Sequence, residues 1–105
     1  MQNSYVYIIK YKKEVVYIGK GTSNRYLISR NTNTYLSMIP NSFLSISKIL
    51  TNLTSSRALQ IERELIEIHT PIFNTQLNNN FSKSKAEKYL KKVQNEIKKS
   101  SSKAV

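Results

Sequence analysis

Along residues 4–10, SYVYIIK, successive side chains point to opposite sides without changing character. Tyr5, Tyr7 and Ile9 share one face, and Val6 and Ile8 share the other. A segment apolar on both faces predicts a central strand covered on both sides. Residues 15–19, VVYIG, predict a second strand. The polar YKKE between them predicts a β-hairpin, although it lacks the Gly or Asn of a preferred two-residue turn. After Gly21, TSNRYLISR predicts a helix capped by Thr22 or Ser23. The polar NTNTYLSMIPNS, broken by Pro40, reads as loop or frayed helix. In FLSISKIL, residues 43–50, Phe43, Ser45, Ser47 and Ile49 oppose Leu44, Ile46 and Lys48, which predicts a third strand.

The strongest helical pattern runs from Thr54 to His69, with Thr54 or Ser55 as cap and Pro71 beyond the end. FNTQL, residues 73–77, reads as short and extended. From about residue 78 the text changes to Asn, Lys and Ser. Ala86, Leu90, Val93 and Ile97 recur there at helical spacing, predicting a basic amphipathic helix over about residues 84–99. That row could pack on the domain or on a second copy, and the ends read as disordered.

Charge narrows the picture. The 105 residues carry 17 Lys and Arg against six acids, a formal +11, which favours a polyanion such as nucleic acid as partner. All six acids are Glu, so carboxylate chemistry rests on Glu14, Glu62, Glu64, Glu67, Glu87 or Glu96. There is no cysteine, hence no disulfide framework and no thiolate metal site. The N-terminal segment does not resemble a signal peptide, and no run approaches the ~18 apolar residues of a membrane span. The expected location is the cytoplasm, that of a host cell if the Asn-, Lys- and Ser-rich text reflects an AT-rich virus or mobile element.

On a wheel of about 100° per residue, Ala58, Ile61, Leu65 and Ile68 form an apolar row, widened by Leu59 and Ile66. Gln60, Arg63, Glu64 and Glu67 lie opposite. Glu62 falls inside the apolar arc. A carboxylate there loses its charge, pairs with Arg25, Arg57 or a lysine, or binds a metal, because an isolated buried charge is costly. His69 lies at the helix end, where a histidine suits the helix dipole.

Taken in order, these features resemble the GIY-YIG nuclease family. Tyr5-Val6-Tyr7 stands where the family has its GIY triplet, with Tyr5 in place of the first glycine. Tyr17-Ile18-Gly19 is an intact YIG. Arg25 follows where the family has its catalytic arginine, with Arg30 as the alternative because Arg25 lies close to YIG. ALQIERELIEIHTPIFN matches the pattern of an acid, a proline and an asparagine, aligning Glu62 and Asn74. The resemblance covers about residues 4–77.

What the resemblance implies is an α+β fold, with a small three-stranded, mostly antiparallel sheet flanked by helices; the basic C-terminal helix read from spacing lies outside it. Residues 1–80 would form the nuclease domain and 81–105 a basic helical extension. The implied activity is endonucleolytic hydrolysis of DNA, RNA not being excluded, with one divalent ion, Mg²⁺ or Mn²⁺, on Glu62. Tyr7 would accept a proton from the attacking water, with Tyr17 as partner or alternate base. Arg25 would hold the phosphoryl charge, and Asn74 would position Glu62 or a metal-bound water. Gly19 would end a strand where the chain turns into the site, and Gly21 would let the next loop approach closely. Lys20, Arg30, Lys83, Lys85, Lys88, Lys91 and Lys92 would contact nucleic acid. The competing readings are a non-catalytic nucleic-acid-binding module and a basic membrane-surface protein. The absence of Trp and the narrow apolar face of the last helix disfavour the membrane. Monomer and homodimer both remain open.

Overall fold

The computed structural model describes residues 3–23 and 32–103. Three strands form one antiparallel sheet in the order β2-β1-β3, where β1 is Ser4–Tyr11, β2 is Glu14–Gly21 and β3 is Leu44–Leu53. Helix α1 spans Ser55–His69 and helix α2 spans Lys83–Lys103. The two apolar faces of β1 do make it the central strand. Tyr5, Tyr7, Ile9 and Tyr11 enter one core with Phe73 and the buried face of α2. Val6 enters the other with Ile18 and with Ala58, Ile61 and Ile66 of α1.

The hairpin forms through Lys12 and Lys13 without a favoured turn residue, and Lys12 takes the left-handed conformation at φ 55°. For a lysine this costs about 1–2 kcal/mol. The Lys12 ammonium reaches Glu96 of α2 at 2.7 Å, and the Tyr11 hydroxyl donates to the same oxygen at 3.0 Å. The turn is thereby fastened to the last helix. Strand β2 runs further than the sequence predicts. Gly19 does not end it: Gly19 pairs with Tyr7 and Gly21 with Tyr5. A bulge opposite Ile9 and Lys10 turns the consecutive residues Val16 and Tyr17 toward the same core.

β3 begins one residue after Phe43, which lies in a short 3₁₀ turn, and continues to Leu53. Two register shifts against β1, and a left-handed Asn52 at φ 59°, twist its second half. Ile49 and Leu50 are consequently exposed. Bulges of this kind discourage pairing of an open edge with another chain.

α1 starts as expected: the Thr54 hydroxyl accepts the Arg57 N–H at 3.2 Å. It ends on a left-handed Thr70, whose N–H returns to the Ile66 carbonyl at 2.8 Å, just before Pro71. The apolar row is shorter than its spacing suggests, because Ile68, in the last turn of α1, is 73% exposed. Residues 73–77 form no strand. The Phe73 N–H instead donates to Val16 at 3.0 Å, covering part of the outer edge of β2. The expected division at residue 80 does not divide the core, since Ala86, Leu90 and Val93 are buried among Tyr7, Ile9, Tyr11 and Phe73. No helix among the described residues is long and apolar enough to cross a membrane.

Candidate active site

The site lies along the outer edge of β2, where β1, α1 and the segment after α1 converge. Tyr7 projects from β1 directly opposite Gly19 and its ring is wholly enclosed. A Cβ on Gly19 would lie 2.5 Å from Tyr7 Cζ and 2.9 Å from Cε1. Gly19 has no left-handed φ, so space rather than backbone freedom requires the glycine. Tyr17 lies one step along the same face, its ring 6.2 Å from that of Tyr7 and only half-buried.

Glu62 faces this edge from α1, at the arc position that set it apart in the sequence. Burial pushes its carboxyl above the ordinary 4.5, and the Lys20 ammonium, a hydrogen bond from the Lys20 backbone N–H, and then Arg63 pull the other way. Among the described residues no Lys or Arg lies within ion-pair distance of it. It lines two adjoining cavities of about 270 and 350 Å³ that share Tyr17, Gln76 and Leu77. Asn74 borders the first, and Tyr7, Gly19 and Lys20 border the second. Together they form one polar cleft with a single carboxylate.

Asn74 stands where the sequence put it but holds something else. Its Oδ1 accepts the Ile18 N–H at 2.8 Å and its Nδ2 donates to the Ile18 carbonyl at 2.8 Å. Both polar ends of this buried amide are engaged with β2, so Asn74 shapes the cleft wall between Tyr17 and Gly19. Its side-chain hydrogen bonds among the described residues go to β2 rather than to Glu62.

No protein-family model and no curated protein sequence matches the chain. Among solved structures it is similar to the GIY-YIG N-terminal endonuclease domain of UvrC from Thermotoga maritima, a point mutant bound to its catalytic divalent cation. The TM-score is 0.51 and the identity 26%, over 71% of this chain and 86% of that one. This chain has the GIY-YIG fold.

Within that GIY-YIG fold, Tyr5 explains its own departure from the motif. Its hydroxyl donates to the Ser23 carbonyl at 2.7 Å, tying down the chain as it leaves β2. Lys48 covers the ring, its ammonium 4.6 Å from the centroid. Arg25 and Arg30, and the helix expected around them, lie outside the described residues. Lys20 reaches Ser55 Oγ at 3.0 Å, bridging β2 to the start of α1 at the cleft margin. Lys83, Lys85, Lys88, Lys91 and Lys92 are exposed on α2 and do not line the cleft. His69 is exposed at the end of α1, also outside it.

The donor set suits a hard divalent cation. No group of three His, Cys, Asp or Glu exists among the described residues, so a fully protein-ligated metal is not built here. One partly buried carboxylate in a polar cavity, with no ion-pair partner among the described residues, instead suits a divalent cation that accepts oxygen and keeps several waters. Gln76, Leu77 and Leu59 also line the cleft, and sequence reasoning missed them. Only the position of Gln76 and Leu77 just after Asn74 hinted at it.

Proposed function

We propose that this protein is a metal-dependent endonuclease that hydrolyses DNA phosphodiester bonds in the Glu62 cleft. The observation that carries the reading is Glu62 itself: a partly buried carboxylate beside Tyr17 with no ion-pair partner among the described residues, in a fold shared with an endonuclease domain.

In this reading Glu62 would hold the divalent ion, Mg²⁺ or Mn²⁺, which when bound would supply Lewis-acid stabilisation of the charge on the departing 3′ oxygen. Hydrolysis forms one P–O bond from water and breaks the bond to the 3′ oxygen. The proton of the water passes to a tyrosine oxygen in its phenolate form, and the 3′ oxygen gains a proton from solvent. Tyr17 retains exposure at the cleft and Tyr7 backs it from within. A phenolate near neutral pH needs positive charge nearby, which Lys20 supplies at the cleft and which the family resemblance assigns also to Arg25. Arg25 also holds the phosphoryl oxygens. Asn74 acts through Ile18, keeping Tyr17 and Gly19 in register. Lys83, Lys85, Lys88, Lys91, Lys92 and Arg30 hold backbone phosphates without reading sequence.

Supercoiled plasmid, incubated with Mg²⁺ or with chelator beside the Glu62→Ala variant, tests this. Nicking that needs metal and is lost in the variant supports it. Retained binding without cleavage of duplex, branched or single-stranded DNA or RNA leaves a non-catalytic module instead.

A further inference from the structure

Five described residues other than glycine have a positive φ: Lys12, Ser23, Asn52, Thr70 and Leu77. Lys12 makes the hairpin turn, Ser23 follows the end of β2, Asn52 sits in a twisted strand and Thr70 caps α1. Leu77, at φ 61°, is the one aliphatic residue among them. Its left-handed backbone is disfavoured for a bulky side chain, and asparagines, which tolerate it far better, follow at the next three positions. The side chain is also 44% exposed. A leucine here therefore opposes both backbone preference and burial. Such strain persists only where the surroundings enforce it, and it gathers at functional sites.

The surroundings do enforce it. Asn74 is fixed to Ile18 at both ends. Asn78 Nδ2 donates to the carbonyls of Asn74 at 3.1 Å and Pro71 at 3.0 Å, and its Oδ1 accepts the Asn80 N–H at 3.1 Å. Leu77 is held between these anchors at the mouth of the Glu62 cleft. On its other side it lines a second groove with Arg63, Glu67, Asn79 and Asn80.

We propose that Leu77 is a wedge that enters the minor groove of duplex DNA beside the scissile phosphate and unstacks one base step. The proposal rests on the nuclease reading above and adds a substrate class to it: duplexes that unstack easily, such as mismatched or TA-rich ones. An apolar residue between amide side chains is the chemistry that minor-groove wedges use. Gln76 and Asn79 supply the amides, Arg63 shares the second groove with Leu77 as a cation for a flanking phosphate, and the net charge of +11 favours the polyanion. Flexible steps and mismatches lower the unstacking cost, so the wedge selects for them without base-specific contacts.

The test uses the full chain carrying Glu62→Gln, so that DNA is bound without being cut. The probe is a short alternating TA duplex with every second adenine replaced by 2-aminopurine, whose emission rises on unstacking. Emission is expected to rise on binding. The rise disappears in Glu62→Gln/Leu77→Asn and persists in Glu62→Gln/Leu77→Phe. Leu77→Asn suits the left-handed backbone, so its Tm is expected to equal or exceed that of the parent, which separates wedge loss from misfolding. In chains with Glu62 intact, preferential cleavage of mismatched duplex is lost with Leu77→Asn. A flat emission, or an equal rise with Leu77→Asn, overturns the wedge even if plasmid nicking is intact. A Leu77-dependent rise without nicking by the native chain overturns the nuclease reading and leaves the wedge. Failure to bind DNA overturns both.

Discussion

The side-chain amide of Asn74 grips the backbone of Ile18 at both ends, accepting its N–H and donating to its carbonyl, each at 2.8 Å. It stands in for a neighbouring strand at the edge of β2, one step beyond the backbone bond from Phe73 to Val16. Asn74→Ala strands a buried donor and a buried acceptor, each worth about 1–3 kcal/mol when left unpaired. Urea unfolding is expected to show a loss of roughly 2–4 kcal/mol. Asn74→Asp should lose nearly as much, because a carboxylate cannot donate to the Ile18 carbonyl. A loss below about 1 kcal/mol in both variants contradicts the pin.

How much of this was legible in the sequence differs from residue to residue. The strands were, because β1 is apolar on both faces and the chain turns after Tyr11. Glu62 was, because a charge inside an apolar arc conflicts with its helix. Asn74 could be located but not understood: its partner is the backbone of a residue far away in the chain, and backbone atoms leave no mark in a hydropathy pattern. The row of Ala86, Leu90 and Val93 announced a buried face without saying what would bury it. Ile68 kept the period of its helix but is exposed in its last turn. Leu77 was invisible, since no propensity anticipates a left-handed leucine.

Gly19 shows the same limit across strands. Spacing along the chain suggests a turn, whereas pairing across the sheet sets a tyrosine ring where a Cβ would stand. The ring is enclosed and cannot swing away. Gly19→Ala is expected to destabilise by about 1–3 kcal/mol, the usual cost of overpacking, and to abolish cleavage. If Gly19→Ala keeps native Tm and activity, the close approach does not matter.

The two faces of α2 should respond differently to substitution. Val93 is fully buried, so Val93→Asp places a charge in an apolar core and is expected to unfold the domain. Lys88 and Lys91 are exposed, so the pair Lys88→Ser/Lys91→Ser should leave stability within about 0.5 kcal/mol. If both lysines meet phosphates, the slope of log binding constant against log salt should shrink by about 2. An unchanged slope means that they are only solvated.

Glu62 links function to pH. Its carboxyl is raised in the folded state, so between the ordinary 4.5 and that higher value the native chain holds a proton the unfolded chain releases. Stability therefore falls as pH rises through that window, and above it the cost of the buried charge is constant. In chelator at pH 7, Glu62→Gln should melt above the native chain. The gain should stay below the roughly 4–8 °C that 1 kcal/mol represents in a domain of this size, because the carboxylate is only half-buried. The difference should vanish below pH 4.5. Mg²⁺ should raise the Tm of the native chain and leave the variant unmoved, since an ion that binds only the folded carboxylate adds its binding energy to stability. Glu62→Gln melting lower than the native chain in chelator at pH 7 would mean that the charge is already compensated within the protein, and that no cation is needed to hold it there.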